Sequence, residues 1–390
     1  MYKILTLNQI SVKGLEKFPR DKYEVASEIV HPDAILARSH KIGADDLPSP
    51  LLAVARAGAG VNTIAVDACS ERGIPVFNTP GANANAVKEL VLAALILASR
   101  GILDGAQYVQ NLAGKTEDAH ELHKMVEKEK KQFRGQEIKG KTLGVVGLGA
   151  IGSHVANMAL SLGMDVLGFD PALSVEAAWR LSSKVQRMEN LPSLLAKSDY
   201  VSLHVPFIEE TKELINSKTL ASCKPGTRLL NFSRSEIVQV SGILEALENG
   251  KLSKYLCDFP HPSLLGNKDV VIVPHIGAST NEAEENCAVM AADQLMDFLE
   301  NGNIVNSVNF PTLYLERNGG YRIAMSNKNI PKVLNNILTA LGEENINVID
   351  MLNKSRGEVA YDLIDIDTEP TPELISRIES IEGVTKVRSL

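Results

Sequence analysis

The stretch KTLGVVGLGAIGSHVANMALSLG, residues 141–163, decides the fold of the central part of this chain. It opens with an apolar run, 142–146, that is typical of a buried strand, and it ends with the pattern of a helix, 153–162. Three glycines separate the two patterns. In such a strand–loop–helix unit the first glycine makes a tight turn, the second lets the backbone approach a pyrophosphate, and the third lets the helix pack closely on the strand. The sequence therefore predicts a Rossmann-type dinucleotide site.

The elements that follow the loop indicate which dinucleotide binds. The amino end of a helix presents unpaired N–H groups to phosphate. Asp170 follows the next apolar strand, 165–169, where a carboxylate accepts hydrogen bonds from ribose hydroxyls and its charge repels the 2′-phosphate of NADP. We therefore predict NAD as the cofactor, bound in part by Gly147, Gly149, Ala150, Ile151, Gly152 and Asp170.

Apolar β-branched runs alternate with helical patterns through most of the chain, which is the βαβ rhythm of parallel sheets covered by helices. At about 100–200 residues per domain, a chain of 390 residues predicts two or three domains. We predict an α/β fold with two Rossmann-like, doubly wound parallel-sheet domains. The substrate domain comprises residues 1–98 and 281–312, and the NAD domain comprises residues 99–280.

The C-terminal part is predicted to form a third unit. An Asn-rich segment, 301–311, interrupts the apolar periodicity and is typical of a linker between domains. After it, residues 319–390 follow the order strand, helix, strand, strand, helix, strand. This βαββαβ order predicts a ferredoxin-like module.

Composition and charge argue against several functional classes. The chain has 40 Lys and Arg against 48 Asp and Glu, a net charge of −8, which argues against a broad surface for nucleic acid or an anionic membrane. The longest apolar stretch, 90–98, is about half of the ~20 residues that a membrane helix needs, and residues 1–10 lack the pattern of a signal peptide. The four cysteines form no CxxC pair, so we expect no metal site and a cytoplasmic location.

Two strand ends offer groups for acid–base chemistry. Hydride transfer between a hydroxy acid and its keto acid needs a cation that holds the carboxylate and a group that moves the hydroxyl proton. In open α/β sheets ligands bind beyond the carboxyl ends of the strands. Arg234 follows the predicted strand 227–231, and His275 follows the predicted strand 270–273. Both are therefore candidate catalytic residues.

Several ordered motifs resemble the D-isomer-specific 2-hydroxyacid dehydrogenase family. The motifs are ARAGAGVNTIAVDACSERGIPVFNTPGANANAVKE (55–89), GKTLGVVGLGAIG (140–152), LHVPFIEET (203–211), LLNFSR (229–234) and PHIGAST (274–280). The resemblance covers nearly the whole chain. Within the family it is closest to members that oxidise D-3-phosphoglycerate to 3-phosphohydroxypyruvate, at the start of L-serine synthesis.

The resemblance implies roles for individual residues. Arg234 would fix the substrate carboxylate and carbonyl, and His275 would donate and accept the proton. The substrate would be a small phosphorylated hydroxy acid, and the protein a homodimer or homotetramer. The substrate phosphate would contact Arg56, Asn83 and, as a further candidate, Lys41. The N–H groups of Ala57 and Gly58 would receive the substrate carboxylate. The further NAD contacts implied are Val205, Pro206, Phe232, Ser233, Arg234, Asp258, His275, Gly277 and Ala278.

The segment before His275 departs from the family pattern. In the family an Asp ends the preceding strand, and a Glu before a Pro pairs with the catalytic His; here the segment reads LCDFPHP, residues 256–262. Asp258 matches the Asp only with a one-residue shift, and His261 stands where the Glu is expected. The sequence leaves open which group replaces this Glu, with Asp258 and Glu282 as the candidates.

Residues 319–390 resemble an ACT domain, a small amino-acid-binding module. The resemblance implies Asn327, Asn329 and Asn347 as possible effector contacts, since amide groups suit both the ammonium and the carboxylate of an amino acid. Two positions depart from the pattern, because Lys332 replaces a glycine and Asn327 replaces a histidine. Regulation by L-serine and a purely structural, dimerising module are both open alternatives.

Three functions are consistent with these patterns. The first is NAD-dependent oxidation of 3-phosphoglycerate. The second is the same chemistry on an unphosphorylated 2-hydroxy acid, or reduction of glyoxylate or hydroxypyruvate. Arg56 discriminates between these two, because a phosphate-binding residue matters only for a phosphorylated substrate. The third is a non-catalytic NAD-sensing protein, which the missing Glu favours.

Overall fold

A computed structural model describes the backbone of all 390 residues and every side chain except that of Glu176. The chain forms two compact units, one of residues 1–83 with 280–390 and the other of residues 84–279. The helix over residues 84–99 belongs to the second unit. The domain limits predicted from the sequence stay predictions.

The first segment of the chain, residues 1–83, forms an all-parallel sheet of five strands in the order β2-β1-β3-β4-β5. This strand order is that of a flavodoxin-like, doubly wound sheet. Its elements are β1 (Tyr2–Leu7), α1 (Val12–Leu15), β2 (Tyr23–Ala26), β3 (Ala34–Ala37), β4 (Ala53–Arg56), α2 (Val66–Glu71) and β5 (Val76–Phe77).

The second unit, residues 84–279, contains a seven-stranded parallel sheet in the order β12-β11-β10-β9-β6-β7-β8. The order reverses between β6 and β9, as in a Rossmann fold. Its elements are α3 (Ala84–Ser99), α4 (Ile102–Gln110), α5 (Ala119–Glu129), β6 (Thr142–Val146), α6 (Ala150–Ser161), β7 (Asp165–Phe169), α7 (Val175–Arg180), β8 (Gln186–Arg187), α8 (Leu191–Lys197), β9 (Tyr200–Leu203), α9 (Ser217–Leu220), β10 (Thr227–Asn231), α10 (Val240–Glu248), β11 (Leu252–Cys257) and β12 (Val270–Ile272).

The last segment, residues 280–390, returns to the first unit through a long helix and ends in a four-stranded antiparallel sheet of order β14-β15-β13-β16. This order and the βαββαβ connectivity are ferredoxin-like, so the predicted fold class is confirmed for all three sheets. The elements are α11 (Asn281–Asn301), β13 (Tyr321–Lys328), α12 (Val333–Glu343), β14 (Val348–Arg356), β15 (Val359–Ile366), α13 (Pro372–Glu379) and β16 (Val384–Ser389).

The central strands of the antiparallel sheet, β13 and β15, are buried on both faces. Side chains alternate between the two faces along a strand, and both sets are covered. Ile364 on β15 packs with Ile337 of α12 and Leu374 of α13 in one core. Leu363, its neighbour on the opposite face, belongs to the core that includes Phe298 of α11. The C-terminal module and the N-terminal sheet therefore share a continuous core within their unit.

Arg322 joins the C-terminal module to the rest of its unit. Its side chain is fully buried and pairs with the buried Asp365, with its Nη2 donating to one carboxylate oxygen at 2.8 Å and its Nε donating to the other at 2.5 Å. The guanidinium also donates to the carbonyls of Asn301, Leu315 and Glu316. The ion pair therefore carries hydrogen bonds on all three guanidinium nitrogens, which is the condition under which a charge is tolerated in a core.

The sequence missed two strands, β2 and β8. Both lie at sheet edges, and β8 has only two residues, both exposed. A short edge strand has too few buried positions to show an apolar pattern. No helix in the described part of the chain combines the length and the apolar character that a membrane crossing requires.

We expect Arg322→Met to lower the free energy of unfolding by about 3–5 kcal/mol, because it strands the buried Asp365 carboxylate without its partner. Chemical denaturation of the full chain measures this change. The double variant Arg322→Met with Asp365→Leu removes the stranded charge and is expected to regain about half of the loss or more. A single variant that unfolds at the wild-type denaturant concentration contradicts the assignment.

Candidate active site

Most of the predicted site residues lie at the carboxyl ends of the strands in the parallel sheet of the second unit. Strands β6 and β9 are neighbours, and they mark the point where the strand order reverses. Ligands of such sheets bind at this switch point, beyond the carboxyl ends of the strands. The segments that leave β6, β7, β9, β10, β11 and β12 at this edge contain the predicted residues Gly147, Asp170, Val205, Ser233, Arg234, Asp258 and His275.

Two of the three glycines of the loop are required by close backbone approaches. Gly147 has φ +88°, and a Cβ there would lie 2.6 Å from the carbonyl oxygen of His204, which directly follows β9. A Cβ at Gly152 would lie 1.9 Å from the carbonyl oxygen of Gly147. Both positions therefore exclude any other residue.

Gly149 serves a different purpose. It is the N-cap of α6, and a Cβ built there meets nothing within 4 Å. The space in front of this helix end is therefore open, and the first N–H groups of α6, from Ala150 and Ile151 onward, face the side where an anion is favoured. This cradle fits the pyrophosphate of a dinucleotide.

Asp170 is oriented by two backbone donors. Its Oδ2 accepts from the N–H of Leu148 at 2.8 Å, and its Oδ1 accepts from the N–H of Ala172 at 2.9 Å. Each carboxylate oxygen keeps a second lone pair for an outside donor. The carboxylate is therefore positioned beside the glycine loop and fits the ribose hydroxyls of NAD.

Asn231 holds the loop that carries Arg234. Its fully buried side chain donates from Nδ2 to the carbonyl of Arg234 at 2.8 Å and accepts at Oδ1 from the N–H of Ser233 at 3.2 Å. The Ser233 hydroxyl in turn donates to the carbonyl of Val205. The Arg234 side chain is exposed, and its Nη1 donates to the Ser233 carbonyl at 2.6 Å. The backbone of the loop is thus fixed while the guanidinium reaches solvent.

Asp258 is the buried carboxylate of the site, with an exposed fraction of 1%. Its Oδ1 has no hydrogen-bond partner, and the N–H of Gly277 donates to its carboxylate. Burial raises the pKa of Asp258, and the charges of His275 and Arg234 oppose this shift. Asp258 therefore interacts electrostatically with both candidate catalytic residues, and its free oxygen suits the amide of a nicotinamide ring.

His275 adopts a strained backbone conformation. Its φ is +45°, a region that L-residues rarely adopt, and its N–H donates to the carbonyls of Asp258 at 3.1 Å and Val273 at 3.0 Å. The exposed imidazole packs edge-on against Phe259, with ring centroids 5.0 Å apart. Strain of this kind is typical of functional positions. His261 makes a local hydrogen bond, in which its Nδ1 accepts from the N–H of Ser263 at 3.2 Å.

The remaining predicted NAD contacts lie on the same loops. Phe232 and Gly277 are buried, Val205 and Ala278 are half-buried, and Pro206 is exposed. A Cβ at Gly277 would lie 3.3 Å from Oδ2 of Asp258. Because Gly277 has no side chain, the Asp258 carboxylate can lie close to the loop that carries His275.

The predicted substrate residues belong to the other unit, which is described by itself. Arg56 ends β4, and it donates from Nε to the carbonyl of Arg38 at 2.8 Å and from Nη1 to that of Gly60. The N–H of Ala57 donates to the carbonyl of Ala37, and that of Gly58 to the carbonyl of Arg56, both at 2.8 Å. The prediction that these two N–H groups receive a carboxylate therefore requires them to exchange their present partners.

Two further predicted substrate residues differ in exposure. Oδ1 of Asn83 is buried without a hydrogen-bond partner, and Lys41 is exposed. An unpartnered buried amide oxygen costs free energy unless a donor reaches it. Asn83 therefore suits a ligand contact better than Lys41 does.

The three asparagines of the C-terminal module do not share one environment. Asn327 is buried and its Oδ1 has no partner, whereas Asn329 is exposed and donates from Nδ2 to the carbonyl of Gly357 at 3.1 Å. Asn347 is exposed. Lys332 has φ +75°, so it keeps the left-handed conformation for which a glycine is expected at this position.

Two residues that sequence reasoning missed, Asn231 and His204, help to hold the loops at the carboxyl ends of these strands. Asn231 ends the predicted strand 227–231, and His204 belongs to the LHVPFIEET motif. Burial lowers the pKa of His204 to about 3, so the neutral ring pairs with the Ser202 hydroxyl at 2.8 Å while its carbonyl crowds Gly147. Polar residues at the ends of buried strands were the available signal. In the described part of the chain, no group of three or more His, Cys, Asp or Glu side chains could hold a metal ion.

Comparison with known proteins defines the class. Residues 92–277 match the NAD-binding domain of the D-isomer-specific 2-hydroxyacid dehydrogenases. The crystal structure of apo D-mandelate dehydrogenase from Rhodotorula graminis superposes with a TM-score of 0.66 at 26% identity and covers 81% of this chain and 99% of its own. The chain belongs to the D-isomer-specific 2-hydroxyacid dehydrogenase family, and it is an NAD-dependent dehydrogenase.

The more similar relatives share one name. D-3-phosphoglycerate dehydrogenase of Haemophilus influenzae is 32% identical over 95% of this chain and 89% of its own length, and that of Dictyostelium discoideum is 30% identical over 100% and 97%. The NAD+-bound structure of 3-phosphoglycerate dehydrogenase from Entamoeba histolytica has a TM-score of 0.61 at 25% identity, covering 80% of this chain and 99% of its own.

We expect Gly149→Ala to weaken NADH binding at least about tenfold while the fold survives, because its Cβ enters the open space in front of α6 without meeting the protein. The loss of stability is expected to stay within about 1 kcal/mol. Fluorescence titration with NADH and thermal denaturation measure the two effects. Gly342→Ala, a glycine in α12 whose Cβ also meets nothing within 4 Å, is the matched control and should leave NADH affinity unchanged. Equal NADH affinity in the two variants would contradict the assignment of this loop to the pyrophosphate of NAD.

Proposed function

We propose that this protein oxidises D-3-phosphoglycerate to 3-phosphohydroxypyruvate, the first step of L-serine biosynthesis. The observation that carries the proposal is that Arg234, Asp258 and His275 follow the neighbouring parallel strands β10, β11 and β12 at one carboxyl edge, where the backbone carbonyl of Asp258 accepts from the N–H of His275 at 3.1 Å. A base, a cation and a buried carboxylate at one edge are the groups that oxidation of a 2-hydroxy acid needs. The relatives named D-3-phosphoglycerate dehydrogenase support the choice of substrate.

In this mechanism the neutral His275 imidazole takes the proton of the C2 hydroxyl as the C2–H bond breaks. The glycine loop and Asp170 would hold NAD, which would supply the acceptor for the hydride that leaves C2. Arg234 pairs with the carboxylate of the hydroxy acid and polarises the developing carbonyl, which orients C2 and stabilises charge. Since the imidazole is exposed on a strained, hydrogen-bonded backbone, His275 can return its proton to solvent after each turnover.

Asp258 takes the part of the missing Glu in this proposal. The backbone carbonyl of Asp258 accepts from the N–H of His275 at 3.1 Å, so the buried acidic residue and the base are joined at this edge of the sheet. The Asp258 carboxylate would accept from the nicotinamide amide through its unpartnered Oδ1. One residue would therefore serve both the cofactor and the base.

Arg56 and Asn83, both in the first unit, are proposed to bind the phosphate of the substrate. Arginine is suited to phosphate because its planar donors match two oxygens at once. The second candidate function, oxidation of an unphosphorylated 2-hydroxy acid, is favoured by the bonds that Arg56 already makes to the carbonyls of Arg38 and Gly60. Substrate comparison decides between the two.

The C-terminal module is proposed to be an ACT-like domain that responds to L-serine. The unpartnered Oδ1 of buried Asn327 supports a ligand at this end of β13, because an ammonium group would satisfy it. The exposed Asn329 and Asn347 would complete the site at a contact between two modules of a homodimer or homotetramer. Adding L-serine to the activity assay tests the proposed regulation separately. An unchanged rate would contradict regulation by L-serine and favour a purely structural role for the module.

We expect activity with 3-phosphohydroxypyruvate and NADH, and we expect Arg56→Ala to raise KM for that substrate about thirtyfold, or about 2 kcal/mol. KM for glyoxylate should change by less than about threefold, since glyoxylate has no phosphate. Arg56→Lys keeps the charge and is expected to retain part of the affinity. Arg20→Ala, an exposed arginine of the same unit, is the control. Equal losses for both substrates would favour the unphosphorylated acid, and absence of NADH oxidation with intact NADH binding would overturn the enzyme assignment.

We expect Asp258→Asn to shift the acidic limb of the kcat/KM profile for hydroxy-acid oxidation to lower pH by about one unit. The base must be neutral to accept the proton, and removing a nearby negative charge keeps it neutral at lower pH. The profile is measured at saturating NAD, so that a weakened cofactor contact does not enter. Glu282→Gln is the matched control and should leave the limb in place. A shift in that variant alone would assign the carboxylate partner to Glu282.

A further inference from the structure

A polar cavity of about 280 Å³ lies at the edge of the seven-stranded sheet opposite the glycine loop. Strands β6, β9 and β10 are parallel neighbours, and all three begin there. The catalytic groups occupy the carboxyl ends of these strands, so the cavity is a separate place in the same unit. Its lining consists of Gln136, Lys141, Asp199, Lys224, Pro225, Gly226, Thr227 and Arg228.

The cavity carries an excess of positive charge. It is lined by three cations, Lys141, Lys224 and Arg228, and by one carboxylate, Asp199. That carboxylate is already committed, because its Oδ1 lies 3.0 Å from the Lys224 ammonium and its Oδ2 accepts from the N–H of Thr142 at 2.9 Å. These partners hold the pKa of Asp199 below its usual value although burial opposes them. Asp199 therefore stays ionised and compensates one cation of the three.

The two uncompensated cations are held differently. The Arg228 guanidinium donates from Nε to the Ala98 carbonyl at 2.8 Å and stacks over the Tyr200 ring at 5.1 Å, and its partners in the described chain are carbonyls, a ring and the Gln136 amide, not carboxylates. The half-buried Lys141 ammonium makes no hydrogen bond or ion pair with any described residue, although it lies near enough to Asp199 to lower the pKa of that carboxyl. Partly desolvated cations without a counter-charge favour an anion.

We propose that this cavity is a binding site for a phosphate dianion, either free or as the phosphate of a small ester. Lys141 supplies a free ammonium, Lys224 a second one held in place by Asp199, and Arg228 a rigid charge at the rear wall. Ammonium and guanidinium groups are the usual partners of phosphate oxygens. Because Arg228 also binds the carboxyl end of α3 through Ala98, phosphate here would stabilise the second unit.

Isothermal titration with inorganic phosphate, at ionic strength held constant with NaCl, tests the site. We expect Lys141→Gln to weaken phosphate binding about tenfold and Lys141→Glu to abolish it. Lys197→Gln, an exposed lysine of the same unit outside the cavity, is the matched control and should bind as the wild type does. Phosphate at ten times its Kd should raise the unfolding free energy by about 1.4 kcal/mol in the wild type and not in Lys141→Glu.

The same titrations in an Arg56→Ala background separate this cavity from the proposed substrate phosphate site. The effect of Lys141→Gln should persist there, and glycerol 3-phosphate in place of inorganic phosphate distinguishes an ester ligand from the free ion. Identical titrations of wild type and Lys141→Gln would overturn the proposal, as would loss of all phosphate binding in Arg56→Ala alone. In either case the cations serve only the Asp199 pair and the end of α3.

Discussion

The close approach of the β6–α6 loop to the end of β9 is the constraint on which the proposed chemistry depends. The His204 carbonyl lies where a Cβ of Gly147 would be, and the Gly147 carbonyl lies where a Cβ of Gly152 would be. The loop can therefore pack only as bare backbone. This packing fixes the amino end of α6 and lets the Leu148 N–H hold Asp170. The position of the helix end and the orientation of Asp170 therefore follow from one steric condition.

Polar side chains at strand ends extend this order to the catalytic groups. Asn231 fixes the loop of Arg234, and the backbone of Asp258 accepts from the N–H of His275. In each case a buried residue holds the backbone and leaves the reactive side chain exposed. Such an arrangement combines a rigid loop with a reactive group that can reach substrate and exchange protons with water.

The C-terminal module is integrated into its unit, not attached by a flexible linker. Its central strands β13 and β15 are buried on both faces, and Arg322 joins β13 to carbonyls at the end of α11 and in the segment that follows it. Arg388 adds a contact of 4.2 Å to the Phe298 ring of α11. The module therefore packs on a helix whose amino end directly follows the PHIGAST segment along the chain.

The sequence by itself determined the three sheets, the glycine loop, Asp170 and the positions of Arg234 and His275 at strand ends, because these depend on local periodicity and on residue types that few other contexts require. It did not determine the short edge strands β2 and β8, whose few residues show no pattern. Only the tertiary structure showed that Asp258 is buried and accepts from the N–H of His275 through its backbone carbonyl, that Ala57 and Gly58 already use their N–H groups, and that Arg322 is buried with Asp365. These facts depend on which strand ends become neighbours and on how deeply each charge is buried, and both are set by packing between segments far apart in the chain.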